Sequence, residues 1–280
     1  MTNKSKNNFR KFLLAAAFIL TVTSNSYAEN YSLLNPVPEN KLRSMTTERP
    51  SKTSSSFTVD SGHLQIETNF YSLTKDKNHG AKTTTKSTLA GTMFRLGLTQ
   101  SSELSIVTSP VIWQKTESSN IRAQGVTLLR LRYNFFGNNP DKGGSFAAIP
   151  YIKIPTNNKQ LGNNSYEGGV KLHYDGRFKD DYIISYLFEP AAVKKSDNSA
   201  YTASFTNVFD FGKAFTSKFY AYAELASTKS LERHTSSQNN LDFGVIYQVT
   251  KNFTLDAVTN FGISKSADNF NFLTGGSYRF

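Results

Sequence analysis

The sequence predicts an all-β fold, an antiparallel transmembrane β-barrel of about 12 strands. Three observations predict it: a series of segments that alternate between apolar and polar residues, connections that alternate between short and long, and charges confined to one alternate set of positions. A tilted strand needs about 9 to 11 residues to cross a bilayer. Each alternating segment is long enough to do so.

Residues 1–28 have the organisation of a secretory signal peptide. They begin with four basic residues, continue with a mostly apolar run from Phe12 to Val22, and end with the small-x-small sequence Ser26-Tyr27-Ala28. The apolar run is too short to span a bilayer as a helix. We therefore predict export, and a location in the outer membrane of a Gram-negative bacterium.

Residues 29–62 are rich in Ser, Thr, Pro and Asn and have no apolar periodicity. We predict an irregular lead-in here, in the periplasm or in the barrel lumen. Residues 63–280 are predicted to form the barrel. The alternating segments lie at about 64–74, 86–98, 103–115, 126–136, 145–155, 166–175, 181–192, 201–212, 217–229, 240–249, 253–264 and 270–280.

The connections differ in length on the two sides of the predicted barrel. Long polar stretches such as 75–85 and 156–165 follow the odd segments, whereas short ones such as 100–102 and 251–252 follow the even segments. The last pair, joined by a short loop near 266–269, departs from this rule. Short periplasmic turns and longer external loops are typical of outer-membrane barrels.

Charge is distributed unequally between the two alternate sets of positions. The set predicted to face lipid carries only Lys86 and Lys229, together with the amides Gln114 and Asn207. A soluble β-sandwich would bury this apolar set and expose the other, and alternation alone fits both folds. The signal segment, the loop lengths and the last strand favour the barrel.

The final strand, NFLTGGSYRF, alternates up to Phe280. In a closed barrel this strand pairs with the first one, so that no strand edge faces lipid. We predict that Phe280 is the signal recognised by the barrel-assembly machinery.

The amino-acid composition limits the kinds of functional site and the binding partners that we expect. The chain has no cysteine, which excludes disulfides and thiolate sites, and four scattered histidines without ligand spacing predict no metal and no cofactor. The net charge is +11, and removal of the four basic residues of the signal segment lowers it to +7. For an exported protein we expect outer-membrane lipids and lipopolysaccharide, not nucleic acid, as the counter-charge. We expect a monomer.

Charged residues on the predicted lumen face fall into two groups, which we name by their sign. The basic wall consists of Arg95, Lys115, Arg130, Arg132 and Lys153, and the acidic wall consists of Glu189, Asp210, Glu224, Asp242 and Asp256. In one interpretation these walls face each other across an open pore and select a small-molecule solute by its dipole. In the other, the charges pair into a network that fills a narrow interior.

An enzymatic function has little support in the sequence. His234-Thr235-Ser236 has the His-x-Ser spacing of outer-membrane phospholipases, but it lies in a predicted loop. His173, on a lumen face, is interpreted as a hydrogen-bonded histidine. We predict no catalytic residue.

Four stretches resemble a known family. ERPSKTSSSFTVDSGHLQIET, AAIPYIKIPT, YEGGV and GGSYRF resemble, in order and spacing, the outer-membrane barrel proteins grouped as transporters of the phenol-degradation meta-pathway type. The resemblance runs from about Glu48 to Phe280. The family usually has an acidic residue after the Arg-Pro pair, where this chain has Ser51 and Lys52.

The resemblance implies a barrel that takes up small compounds, often aromatic ones. A channel or passive transporter for small solutes is therefore the expected function. The alternatives are a closed barrel with a structural or surface-interaction role and, third, an outer-membrane lipid-modifying enzyme.

Overall fold

The computed structural model describes residues 30–77, 83–116, 119–157, 161, 163–179 and 181–280. The predicted signal peptide, residues 1–28, lies outside the described residues. Tyr31–Phe280 form one compact unit. Its helical structure within the described ranges is a short 3-10 turn at Glu39–Lys41, and none of the described helices is long and apolar enough to cross a membrane.

The described residues form fifteen strands in one sheet, and every neighbouring pair is antiparallel. They are β1 (Leu64–Lys77), β2 (Thr83–Leu89), β3 (Thr92–Thr99), β4 (Ser102–Thr108), β5 (Val111–Lys115), β6 (Asn120–Ala123), β7 (Thr127–Phe136), β8 (Gly144–Ile154), β9 (Glu167–Phe178), β10 (Tyr182–Lys194), β11 (Tyr201–Ala214), β12 (Phe219–Ser230), β13 (Gln238–Thr250), β14 (Phe253–Gly262) and β15 (Phe270–Arg279).

Six of these strands are halves of longer ones. β1 pairs with β3 along its first part and with β2 along its second part, so β2 and β3 form one interrupted barrel strand. The pairs β4/β5 and β6/β7 are related in the same way, because β3 and β2 pair with β4 and β5, which in turn pair with β7 and β6. β15 pairs with β1 and closes the sheet. The predicted fold, a closed antiparallel barrel of 12 strands, is confirmed.

Burial is inverted relative to a soluble domain. The largest fully buried side chains include Arg95, Arg132, Glu67, Glu103 and Asp242. Large apolar side chains are instead exposed on the outside of the barrel; examples are Phe70, Phe94, Leu129, Phe209, Leu225, Phe243 and Phe261. Charged residues are seldom fully buried unless they are paired, and a dry sandwich core would contain the apolar set. The sandwich interpretation is therefore wrong.

The strand interruptions change which residues face the lumen. Ala90 and Gly91 separate β2 from β3, and a bulge interrupts β1 between Asn69 and Tyr71. Each irregularity shifts the alternation by one residue, so residues on its two sides use opposite parities for the lumen. As a result Lys86, which pairs with Thr74, faces the lumen and not lipid.

The same shift occurs between β4 and β5, at Ser109-Pro110. Gln114 pairs with Lys86 and faces the lumen, so its neighbour Lys115 faces outward, where it is exposed at the end of β5. Lys115 is predicted to belong to the basic wall of the lumen, but the structure places it on the outer face of the barrel. Asn207 does face outward, and its amide oxygen accepts a 2.8 Å hydrogen bond from the Tyr186 hydroxyl.

The lead-in, of which residues 30–62 are described, enters the barrel interior. It starts at the end that carries the short turns, where the Leu33 amide donates to the Leu98 carbonyl and Arg43 donates to the carbonyl of Asn138. At this rim Lys251 lies 2.9 Å from Glu39, and its hydrogen bond lowers the pKa of that exposed carboxyl group.

The lead-in then turns inside the lumen and returns to the same end. Its innermost part, Lys52 to Ser54, contacts Asp242 and Lys171. On the way back Asp60 forms a 2.9 Å ion pair with Arg279, next to the start of β1. Both ends of this segment are thus fixed at one rim of the barrel.

Candidate functional site

The basic side of the lumen is a buried ion-pair network. Nη1 of Arg95 lies 2.7 Å from Glu67, and Nη2 of Arg95 lies 2.9 Å from Glu103. Arg132 lies 3.0 Å from the same Glu103 carboxylate. The four side chains are at most 1% exposed. Such charges are stable in a dry interior only when they are paired and hydrogen-bonded.

The lead-in supplies an anion to this side. The carboxylate of Glu48 accepts a 2.8 Å hydrogen bond from Arg130 and also pairs with Arg132. Two guanidinium groups of the barrel wall therefore share one carboxylate of the lead-in. Without Glu48, Arg132 would keep only Glu103 as an ion-pair partner among the described residues.

The lead-in supplies cations to the opposite side. Arg49 lies 2.8 Å from Asp256 on β14, and Lys52 lies 2.7 Å from Asp242 on β13. In the closed sheet β14 is separated from β3 by β15 and β1, and β13 lies opposite β7. Each charge of the lead-in is thus opposite in sign to the wall residue that it meets.

Wall carboxylates also bind the backbone of the lead-in. Glu67 accepts hydrogen bonds from the N–H groups of Glu48 and Arg49, each 3.0 Å long. Glu224 accepts from the N–H groups of Lys52 and Thr53, at 3.0 and 3.1 Å. Each carboxylate therefore holds two consecutive peptide N–H groups.

Two further carboxylates act on the returning part of the lead-in. Asp175 accepts from the N–H group of Ser56 at 2.8 Å, and Glu103 accepts from that of Val59 at 2.8 Å. Hydrogen bonds to charged acceptors are about twice as strong as neutral ones. These contacts fix the path of the backbone.

Wall donors bind the carbonyl groups of the same segment. Arg95 and Arg132 both donate to the Phe57 carbonyl, at 3.0 and 2.9 Å. The Thr46 carbonyl accepts from Gln65 at 2.8 Å, and the Ser56 carbonyl accepts from Asn134 at 2.9 Å. These carbonyl groups of the lead-in thereby have hydrogen-bond partners inside the barrel.

His173 contacts both a carbonyl group of the lead-in and a carboxylate of the wall. Its ring is fully buried, with Nδ1 3.0 Å from the Thr53 carbonyl and Nε2 3.0 Å from Asp175. Ser185 donates to the same Asp175 carboxylate at 2.6 Å. His173 is a hydrogen-bonded lumen residue, as its position in the sequence predicts, and it helps to hold the lead-in.

Two glycines leave space for the lead-in in the barrel wall. A Cβ atom at Gly97 would overlap the backbone of Val59 and Asp60, and a Cβ atom at Gly275 would overlap the guanidinium group of Arg49. At both positions only a residue without a side chain allows the segment to approach this closely.

The predicted wall residues are only partly brought together. Arg95, Arg130 and Arg132 form one cluster, whereas Lys153 lies near the long-loop end in a pair with Glu167. Lys115 is outside the lumen, as described above.

The acidic residues also divide into two groups. Glu224, Asp242 and Asp256 contact the lead-in. Asp210 lies opposite Glu224 on the neighbouring strand, 3.5 Å from the Tyr220 hydroxyl, and Glu189 binds the Tyr151 hydroxyl.

Sequence reasoning missed the lead-in residues Glu48, Arg49 and Lys52 as members of the site. These residues lie in an irregular segment, where no periodicity indicates which way a side chain points. The signal that could have found them is their charge, since they are charged residues in a segment otherwise dominated by Ser, Thr and Pro.

A small cavity lies beyond the innermost part of the lead-in. Its volume is about 190 Å³, and its lining includes Lys52, Thr74, Asn240, Asn260 and Asn271. The Lys52 side chain is 38% exposed. The lead-in therefore forms part of the lining of a polar cavity toward the long-loop end.

The remaining candidate residues lie away from the lumen. His234 and Ser236 are exposed in the loop between β12 and β13. The Phe280 amide donates to the Leu64 carbonyl at 2.8 Å, and its ring packs edge-on against Tyr278. Within the described ranges, no group of three or more His, Asp or Glu side chains could hold a metal ion.

Several solved structures are similar to this chain. An outer membrane channel from Pseudomonas putida F1 has a TM-score of 0.60 and 11% identity, covering 78% of this chain and 95% of that one. The NanC porin has a TM-score of 0.49 and 10% identity, with 77% and 98% covered. For the KdgM porin these values are 0.48, 12%, 77% and 99%. At such identity the P. putida channel shows the fold alone.

No curated protein matches the sequence. A family model, however, covers most of the chain, including the Glu48-Arg49 pair, the wall residues and the last strand. Residues 47–280 match the family described as "Putative MetA-pathway of phenol degradation", and the chain belongs to this family.

Proposed function

We propose that the protein is an outer-membrane channel for small solutes, and that its lead-in closes the lumen in the state described here. The observation that carries this proposal is the composition of the lumen. It is lined by charged side chains, which a barrel that only anchors itself in lipid does not need, and a single segment of the chain lies between them. Charged rings and walls are the usual means by which channels select solutes.

The attachment of the lead-in supports a removable closure. Its charged stretch from Glu48 to Lys52 is held by ion pairs and hydrogen bonds, since the contacts of Glu48, Arg49 and Lys52 are polar. The buried apolar side chains of the lead-in are limited, among its described residues, to Val37, Met45, Pro50 and Val59. When it leaves, water can solvate both the segment and the walls. Displacement therefore exchanges one set of polar contacts for another.

Family membership guides the choice of solutes. The family description refers to phenol degradation, so small aromatic acids belong in the first panel. The 190 Å³ cavity is lined mainly by amide and hydroxyl side chains and by Lys52, so hydrophilic solutes such as sugars and amino acids belong there too.

A closed barrel with a structural role is the second candidate. It is favoured by the complete burial of Arg95, Glu103 and Asp242, which means that water does not reach the middle of the lumen while the lead-in is in place. The two candidates differ in one measurable property, which is whether neutralising the lead-in opens a path for ions.

Planar-bilayer conductance of the full chain tests the proposal. We define the loosened variant as the full chain with Glu48→Gln, Arg49→Gln and Lys52→Gln, which removes the lead-in charges and keeps similar side-chain sizes. We expect rare openings in the wild-type protein and frequent ion-conducting steps in the loosened variant. Liposome swelling with the solute panel then ranks the solutes.

A matched control has Glu39→Gln and Lys251→Gln, which remove an exposed pair at the rim. We expect this control to behave as the wild type does, because exposed ion pairs contribute little to stability. If a correctly folded loosened variant conducts no ions, the channel proposal is wrong and the structural barrel is favoured.

A further inference from the structure

We propose that the barrel lumen is a binding site for short peptides, which the lead-in occupies as an intramolecular peptide. This inference rests on the proposed function, because a free peptide can enter only after the lead-in has been displaced. It names a solute class for the channel that differs from the aromatic compounds of the family description.

The main argument is that the wall recognises peptide backbone. Four carboxylates, on β1, β4, β9 and β12, accept hydrogen bonds from backbone N–H groups of the lead-in: Glu67, Glu103, Asp175 and Glu224. Backbone N–H groups are present in every peptide except at proline. These contacts therefore do not depend on the sequence of the bound segment.

The carbonyl groups are recognised as well. Donors from the wall reach the carbonyls of Thr46, Thr53, Ser56 and Phe57. Carboxylates that accept from N–H groups, interspersed with cationic and amide donors, form a complementary surface for a peptide backbone that turns inside the lumen. A lumen built for sugars or aromatic acids would not need consecutive N–H groups to be bound in pairs, as they are at Glu67 and Glu224.

The side chains of the lead-in contribute less to its fit in the lumen than its backbone does. From Ser51 to Thr58 the segment consists of Ser and Thr apart from Lys52 and Phe57. Small side chains leave the fit to the backbone contacts, so a peptide of different sequence can take the same path if its side chains are also small.

Two wall groups that the lead-in does not use support a ligand site independently. Oδ2 of Asp210 and the hydroxyl of Tyr222 have no hydrogen-bond partner within the described residues, although these residues are only 4% and 6% exposed. Asp210 lies directly opposite Glu224 across β11 and β12 and shares its lumen face. A buried carboxylate beside a backbone-binding one is suited to the ammonium group of a peptide N-terminus.

The proposal is tested by measuring how added peptides block the conductance of the loosened variant. Three probes of equal length are added: the lead-in peptide TTERPSKTSSS, an unrelated peptide of alternating Gly and Ser, and the same Gly/Ser peptide with every Gly replaced by its N-methyl form, sarcosine. We expect the first two to reduce the conductance, with half-blocking concentrations within about tenfold of each other. The N-methylated peptide should require at least about tenfold more, because it cannot donate from those positions.

Substitutions of wall residues test which side chains bind the added peptide. Glu67→Gln and Glu224→Gln, each placed in the loosened variant, keep an acceptor oxygen but remove its charge. Each should raise the half-blocking concentration of the Gly/Ser peptide about fivefold to tenfold. Asp210→Asn should weaken the binding of peptides with a free N-terminus more than the binding of N-acetylated peptides. Lys142→Gln, at an exposed position in the short turn between β7 and β8, is the control and should change nothing.

Binding is also measured without conductance, by the fluorescence anisotropy of a labelled Gly/Ser peptide with the detergent-solubilised variants. This readout separates the two proposals. If the loosened variant conducts ions but binds no unrelated peptide, or binds the sarcosine peptide equally well, the peptide site is refuted and the channel remains. If it binds peptide but never conducts, the channel proposal fails and the binding site stands.

Discussion

Arg49 and Asp256 are 207 positions apart in the chain, yet their side chains form a 2.8 Å ion pair inside the lumen, between the lead-in and the barrel wall. The residue before Arg49 points to the opposite wall, where Glu48 pairs with Arg130 and Arg132. Two consecutive residues therefore connect the two charged walls. This arrangement fixes the orientation of the lead-in, because turning it around would place like charges together.

Charge reversal at Lys52 should open the barrel. Lys52→Glu replaces the ammonium group that lies 2.7 Å from Asp242 with a carboxylate, and so removes the pair that holds the innermost part of the lead-in. We expect the open probability in planar bilayers to rise at least about tenfold, which corresponds to about 1.4 kcal/mol. The second reversal, Asp242→Lys, should restore closure in the double variant. If the double variant is as open as Lys52→Glu, this pair does not control the lead-in.

Gly97→Ala should displace the lead-in without altering any charge. The added methyl group would overlap the Val59 and Asp60 backbone, which cannot move as a flexible side chain can. We expect more frequent conductance steps and faster proteolysis of the lead-in. Leu96→Ala, on the outward face of the same strand, is the matched control and should leave both measurements unchanged.

Arg95→Met should destabilise the barrel even though methionine packs well in apolar surroundings. It leaves Glu67 and Glu103 buried beside one fewer cation, and breaking a buried pair on one side costs about 3–5 kcal/mol. Guanidinium unfolding, followed by the fluorescence of the single tryptophan, Trp113, measures the loss. Unchanged unfolding free energy would contradict the assignment of Arg95 as the centre of the network.

Leu225→Arg should test which face of the barrel meets lipid. Leu225 is 50% exposed in the middle of β12, and a cation at the bilayer midplane costs about 2–4 kcal/mol in such barrels. The same change at Leu231, in the loop beyond β12, should cost about 0–1 kcal/mol. The free energy of folding into lipid vesicles is measured for both variants and compared. Equal costs at the two positions would contradict a depth-dependent lipid environment for β12.

Much of the fold and half of the site follow from strand periodicity. Arg132 and Glu224 could be assigned to the lumen because the alternation immediately around each of them is regular, so that parity determines the face. Lys115 could not, since the break at Ser109-Pro110 shifts the parity and the sequence does not reveal how many residues a bulge inserts. Glu48 and Lys52 could not be assigned at all, because an irregular segment has no parity.

The sequence by itself determined a closed barrel with an apolar exterior and charged interior, because a period of two residues separates the two faces of every regular strand. Only the tertiary structure decided that the lead-in lies inside and that its charges join the walls. Ion pairs between residues distant in the chain, such as Arg49 and Asp256, depend on how the sheet closes in space. No local pattern of residues encodes that distance.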